Sequence, residues 1–127
     1  MDQRIEDSQI NPVTEKVIGC AYAVSNTLGY GFLEKVYENA LAFDLQDAGL
    51  KVRQQHPIQV RYHHRIVGDY IADLVVNDLV LVELKSAQAI ADAHKAQCLN
   101  YLRATGLPVC LLINFGPSGV EIKRLRM

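Results

Sequence analysis

The sequence predicts an α/β protein, a mixed β-sheet containing an antiparallel three-stranded meander and flanked by helices. Three observations carry this expectation. Apolar residues recur at helical spacing up to Gly49; from Lys51 the spacing shifts toward two and β-branched and aromatic residues become more frequent; an Ala-rich helical stretch then precedes two more strand-like runs. The chain has 127 residues, half of them hydrophobic and 21% charged, which suits one domain spanning 1–127 with a real core and is too apolar for a disordered chain.

Taken in order, Asn11-Pro12 reads as a helix N-cap followed by proline in the first turn, with Val13, Val17, Ala21 and Val24 on one face of a helix from about Pro12 to Leu28. Gly29-Tyr30-Gly31 breaks it. A second helical pattern runs through Leu33, Tyr37, Leu41, Leu45 and Ala48 and ends at Gly49. Ile58 to His63 and Arg65 to Val76 read as a strand pair joined near His64, the second bent or bulged at Gly68, and Leu79 to Lys85 as a third strand. Asn77-Asp78 is a good turn pair between them. Ser86 is placed to cap a helix from Ala87 to about Ala104, Gly106-Leu107-Pro108 ends it, and Val109 to Phe115 reads as a fully buried strand. Val120 to Leu125 completes the sheet as an edge strand. The helix between the third and fourth strands implies a right-handed βαβ crossover.

A net charge of −1 offers no general attraction for nucleic acid. Two basic clusters stand against that background, Arg61, His63, His64 and Arg65 near a hairpin turn and Lys123, Arg124 and Arg126 near the C-terminus; both read as ordinary solvated surface. The polar start and the lack of a long apolar run argue against a signal peptide or a membrane span, so a cytoplasmic protein with no membrane partner is expected. The three scattered cysteines, Cys20, Cys98 and Cys110, read as small core residues in a reducing compartment.

The chemistry concentrates on Asp73 and on Glu83-Leu84-Lys85. Glu83 and Lys85 share one face of the third strand by simple alternation. Asp73 joins that face only if the hairpin loop has an odd length or a bulge. A two-residue Asn77-Asp78 loop would pair Asp73 with Val82 and turn it away. Aligned, two carboxylates converge at a separation suited to a hard divalent cation such as Mg²⁺; the plain alternative is an ion pair with Lys85 on a half-solvated sheet. Glu34 projects to the margin of the second helix's apolar arc, although an acid in a first helical turn is also favoured by the helix dipole, and Asp44 projects nearer the arc's centre. His94 and Gln97 point inward or toward a cleft on the third helix, and His94 with Cys98 lacks the further ligands a zinc site needs.

The ordered set Gly31-x-x-Glu34-x-x-Tyr37, Asp73, Glu83-Leu84-Lys85 and Gln97-x-x-x-Tyr101 resembles the GxxExxY proteins, a family placed in the PD-(D/E)XK nuclease superfamily. The resemblance covers nearly the whole chain, including Asn114-Phe115-Gly116. It implies a PD-(D/E)XK nuclease-like sandwich in which Asp73 and Glu83 ligate Mg²⁺, with Mn²⁺ as substitute. It also implies that Lys85 positions or polarises the attacking water and that Glu34 is an auxiliary acid. Gln97 and Tyr101 match a RecB-like Gln-x-x-x-Tyr element that lines the site and contacts substrate or supports the catalytic lysine. The expected activity is hydrolysis of phosphodiester bonds, in DNA first of all. The weak basicity suggests a homodimer, a partner protein or a free end for purchase on DNA. The alternative is a non-catalytic binding or assembly module that keeps the fold.

Overall fold

The computed structural model describes residues 5–127, so the polar start at residues 1–4 lies outside the described residues. Eight elements follow in chain order: α1 (Asp7–Leu28), α2 (Glu34–Asp47), β1 (Val52–Tyr62), β2 (Arg65–Val76), β3 (Val80–Lys85), α3 (Asp92–Thr105), β4 (Val109–Gly116) and β5 (Gly119–Leu125). The strands form one sheet in sequence order, β1-β2-β3-β4-β5. The first three make the antiparallel meander, β4 joins β3 in parallel through the α3 crossover, and β5 returns antiparallel.

Two apolar layers hold the sandwich together. On one face Ile10, Val17, Tyr37, Leu41 and Leu45 of α1 and α2 pack on Leu74, Val76, Val82, Leu84, Leu111 and Ile113. On the other, Cys98, Tyr101 and Leu102 of α3 pack on Ile58, Ala72, Leu81, Cys110 and Leu112. β4 is buried along its whole length, as an inner strand covered on both faces must be. All three cysteines are free thiols, Cys98 and Cys110 buried. No helix among the described residues is long and apolar enough to cross a membrane.

Three element starts depart from the sequence expectation. α1 begins at Asp7 rather than Pro12, because the N–H of Glu6 donates to Gln9 Oε1 (3.1 Å) and closes the end, Ile10 is buried, and Asp7 pairs with Arg126 of the C-terminal segment at 2.6 Å. Those contacts outweigh the one backbone hydrogen bond that Pro12 removes from the helix interior. β1 starts at Val52, six residues before Ile58, since its outer half is held by the ladder to β2 rather than by burial. The hairpin bulge does fall beside Gly68: Val60 faces Gly68, but Arg61 faces Ile66, leaving Val67 unpaired. α3 begins at Asp92, not Ala87, and Ser86 does not cap it; its hydroxyl instead donates to the Phe32 carbonyl at 3.3 Å. The start of α3 is closed by His94, whose Nδ1 accepts the Ala91 N–H at 3.0 Å.

The delayed start of α3 has a specific cause. Asn114, fully buried on β4, accepts the Ala87 N–H (2.8 Å) and donates to the Ala87 carbonyl (3.0 Å), with a further bond to Glu121. This amide pairs with Ala87 as a neighbouring strand would, so the chain after Lys85 stays extended.

Candidate active site

The loop between β2 and β3 determines whether the acids meet. Val76 pairs with Val80, so the loop is Asn77-Asp78-Leu79, one residue longer than the expected two. Asn77 and Asp78 both take left-handed conformations (φ 53° and 54°), which these short polar residues tolerate best. Leu74 then faces Val82, and Asp73 comes opposite Glu83. The odd loop length thus satisfies the alignment condition.

Beyond Leu74 and Val82 the backbone ladder gives way to side chains. Glu83 Oε2 accepts the Asp73 N–H at 2.7 Å, and Asp73 Oδ2 accepts the Leu84 N–H at 2.8 Å. Each acid therefore bonds the backbone of the strand opposite and is locked at the point where the strands part. Facing alternation also breaks here: Ala72 and Val75 belong to the α3-side core, Leu74 and Val76 to the other. Across on β1, Gln55 is skipped in the register and has a φ of 53°, a strained backbone for a residue with a side chain.

Burial and mutual repulsion set the charge state. Glu83 is 3% exposed, and burial, followed by the Asp73 charge, pushes its carboxyl up to about 8, against the lowering effects of the Asp73 N–H and Lys85. Asp73 is raised first by burial, opposed by its bond from Leu84, and raised again by Glu38. Glu34 is raised by burial and by Asp73 and lowered by Lys85, which places it at the rim of the same centre. Asp44, nearer the arc's centre in projection, lies instead beside Cys20.

Glu34 owes its position to the turn before it. Gly31 has a φ of 116°, open to glycine alone in practice. The Tyr37 hydroxyl donates to the Gly29 carbonyl (2.6 Å) and accepts the Phe32 N–H (3.3 Å), while its ring stacks on Phe115 at 4.4 Å. Tyr37 is fully buried and clamps the turn from which α2 starts, with Glu34 as the first helical residue. The spacing of Gly31, Glu34 and Tyr37 is thus one device: a turn, a clamp and a presented acid.

On the opposite side Lys85 Nζ donates to Gln97 Oε1 at 3.4 Å, and Gln97 Nε2 donates to the Tyr101 hydroxyl at 3.1 Å. The Tyr101 hydroxyl is pushed up by burial and by the charges of Glu83 and Asp73. The structure brings together Glu34, Asp73, Glu83, Lys85, Gln97 and Tyr101; His94, which caps α3, takes no part in these bonds.

Two further residues hold this centre, Glu38, which sequence reasoning missed, and Asn114, which it noted without a role. Glu38 is 3% exposed and accepts from Lys35 (2.8 Å), Gln54 (2.7 Å) and Gln55 (2.8 Å), tying α2 to the irregular part of β1. Asn114 fixes the exit of the chain from Lys85, as described above. Glu38 stands four residues after Glu34, one helical turn, and that spacing was the available signal.

Among the described residues no group of three or more His, Cys, Asp or Glu is arranged to hold a metal ion. A two-carboxylate site is nonetheless what Mg²⁺ uses, since it keeps several waters and takes substrate phosphate oxygens as well. The donor set fits: each acid commits one oxygen to a backbone N–H. Among the described residues no buried side-chain oxygen lacks a partner, so the remaining oxygens of these acids are reached by solvent.

Fold and centre together define an α/β protein whose opened hairpin carries two acids and a lysine. The sequence matches the family model of the PD-(D/E)XK nuclease superfamily over residues 11–125, and the chain belongs to that superfamily. Its fold is similar to the crystal structure of SSO0001 (16% identity, TM-score 0.57), covering 91% of this chain and 59% of that one, so it spans about three fifths of that protein. It is also similar to an alkaline exonuclease, LHK-Exo, from Laribacter hongkongensis (15% identity, TM-score 0.53), covering 98% of this chain and 72% of that one. No curated protein matches the chain.

Proposed function

We propose that this chain is a metal-dependent nuclease of the GxxExxY kind, hydrolysing phosphodiester bonds in nucleic acid, with DNA as the first expectation. The observation that carries the reading is the convergence of Asp73 and Glu83 across the opened hairpin, with Lys85 beside them and tethered by Gln97. The fold similarity to LHK-Exo, an alkaline exonuclease, is in keeping with it.

Asp73 and Glu83 would hold the cation, which when bound supplies Lewis-acid stabilisation of a phosphate oxygen. The protein's own groups do the rest. Lys85 Nζ, oriented by Gln97, offers a proton donor and positive charge to the attacking water or to a phosphate oxygen, where negative charge builds in the transition state. Glu34 at the rim has a raised pKa and is suited to exchange a proton with water. Burial and the Asp73 charge favour the protonated form of Glu83, and a cation held between the two acids would favour its ionised form.

The test is cleavage of labelled single- and double-stranded DNA and RNA with Mg²⁺ or Mn²⁺, against EDTA. Lys85→Ala is expected to abolish cleavage and spare the fold, and Asp73→Asn to raise the metal concentration needed for half-maximal rate. Cleavage indifferent to both substitutions would show that the activity lies elsewhere. Mn²⁺-independent melting together with no cleavage would favour a non-catalytic binding module.

A further inference from the structure

Beside the centre lies a groove of about 850 Å³ between the outer half of the β1–β2 hairpin and α3. Gln97 and Tyr101 belong to both, so the groove begins where the tether of Lys85 ends. Its further lining includes Arg61, Tyr70 and Arg103.

The charges around it are sorted in an unusual way. The other arginines among the described residues each have a carboxylate in reach: Arg53 lies 3.4 Å from Asp78, and Arg124 and Arg126 lie 3.9 and 2.6 Å from Asp7. Among the described residues Arg61, Arg65 and Arg103 have no carboxylate within salt-bridge distance, and all three are exposed. Arg61 and Arg65 sit at the hairpin end and Arg103 on α3, so the groove is flanked from both walls. Arg61 and Arg103 are instead braced by neutral amides: Arg61 donates to Gln59 Oε1 (3.1 Å) and Arg103 to Asn100 Oδ1 (3.3 Å). Bracing of this kind orients a guanidinium without discharging it. Asp69, the acid on this part of the hairpin, pairs in register with Gln59 and makes no ion pair with either arginine.

An aromatic surface lies between the charges. Tyr70, half exposed, stands 5.6 Å from Tyr101 with the rings tilted at 47°. Exposed ring faces beside unneutralised guanidinium groups are the features that receive splayed bases and their phosphates. In a duplex the base faces are already stacked on one another and cannot reach such rings. The volume, too, is of the class that encloses a small organic ligand.

We propose that this groove binds a short single-stranded segment of nucleic acid next to the centre, with Arg61 and Arg103 on phosphates and Tyr70 stacked on a base. The inference rests on the nucleic-acid reading of the centre and deepens it: the preferred substrate has an unpaired end or gap. The basic cluster at Arg61 to Arg65, which the sequence suggested to be plain surface, gains a role.

The experiment measures binding of fluorescent oligonucleotides, DNA and RNA, by anisotropy with Lys85→Ala protein in EDTA, so that cleavage does not intervene. Single strands are expected to bind at least tenfold tighter than a blunt duplex of equal length. Adding Arg61→Ala and Arg103→Ala together should weaken single-strand binding tenfold or more and reduce the log–log salt slope by about 1.4, roughly 0.7 per lost phosphate contact. Tyr70→Ala should weaken binding fivefold or more with the salt slope unchanged. Equal affinity for duplex and single strand, or unchanged binding in the arginine pair, overturns the inference. Cleavage is read separately in proteins with Lys85 intact: Lys85-dependent cleavage with unchanged single-strand binding rejects the groove and keeps the nuclease, whereas arginine-dependent binding without cleavage does the reverse.

Discussion

Replacing Glu83 with Gln keeps the shape of the side chain and its ability to accept the Asp73 N–H, but removes a charge that the fold disfavours. Glu83 is pushed up to about 8 from 4.5. An acid raised in this way contributes stability that is present below its unfolded value and lost as pH climbs toward its folded value. At ~1.4 kcal/mol per pH unit between the two, the loss is on the order of 1 kcal/mol at pH 5, 3 at pH 7 and 5 at pH 9. Glu83→Gln should therefore raise the melting temperature of the metal-free protein by a few degrees at pH 5 and by on the order of 15 °C at pH 8.5, at ~3–4 °C per kcal/mol for a chain of this size. Thermal unfolding followed by circular dichroism in EDTA at the two pH values measures this. An equal gain at both, or a loss at pH 8.5, would refute the claim that burial and the neighbouring Asp73 charge the folded state with strain.

Metal should narrow the gap between the two proteins: Mn²⁺ at a hundred times Kd is expected to stabilise the wild type by ~2.7 kcal/mol and so raise its melting temperature, and to leave Glu83→Gln nearly unchanged, which differential scanning fluorimetry resolves. Asn114→Ala removes both bonds to Ala87 and leaves buried polar groups unpaired, so a cost of about 2–3 kcal/mol is expected in urea unfolding, together with faster amide exchange at Ala87. Tyr37→Phe deletes the hydroxyl that bonds Gly29 and Phe32 but keeps the stacked ring, and should cost about 1 kcal/mol while lowering the cleavage rate through the loosened position of Glu34.

What the sequence made legible were the features set by local pattern. β4 reads as buried on both faces because an unbroken apolar run fills it from Val109 to Ile113, and Glu83 and Lys85 share a face by alternation, needing no tertiary knowledge. The position of Asp73 reduced to a question of loop parity, which sequence could pose but not answer: the three-residue loop depends on left-handed backbone at Asn77 and Asp78, and both two- and three-residue loops accept those residues. The errors came from partners far apart in the chain. The true start of α3 depends on Asn114, 27 residues beyond Ala87, and the early start of α1 on Arg126, 119 residues beyond Asp7. Glu38 escaped notice because its burial is made acceptable by Gln54 and Gln55, side chains on a strand whose register no local pattern reveals. A helical projection could not select Glu34, since it put Asp44 nearer the centre of the apolar arc; only the approach of α2 to β2 separates them.

The reciprocal bonds between the acids and the backbone have a practical corollary. Because Glu83 and Asp73 accept the amide protons of Asp73 and Leu84, those two N–H groups sense the charge on the carboxylates through a direct hydrogen bond. In a ¹H–¹⁵N correlation spectrum their resonances become an internal electrode for the centre. Titrating pH would move the Asp73 amide as Glu83 ionises, and adding Mg²⁺ would move both amides without any substrate present. The chemistry of the centre is thus readable from two backbone signals, in a protein carrying no substitution at all.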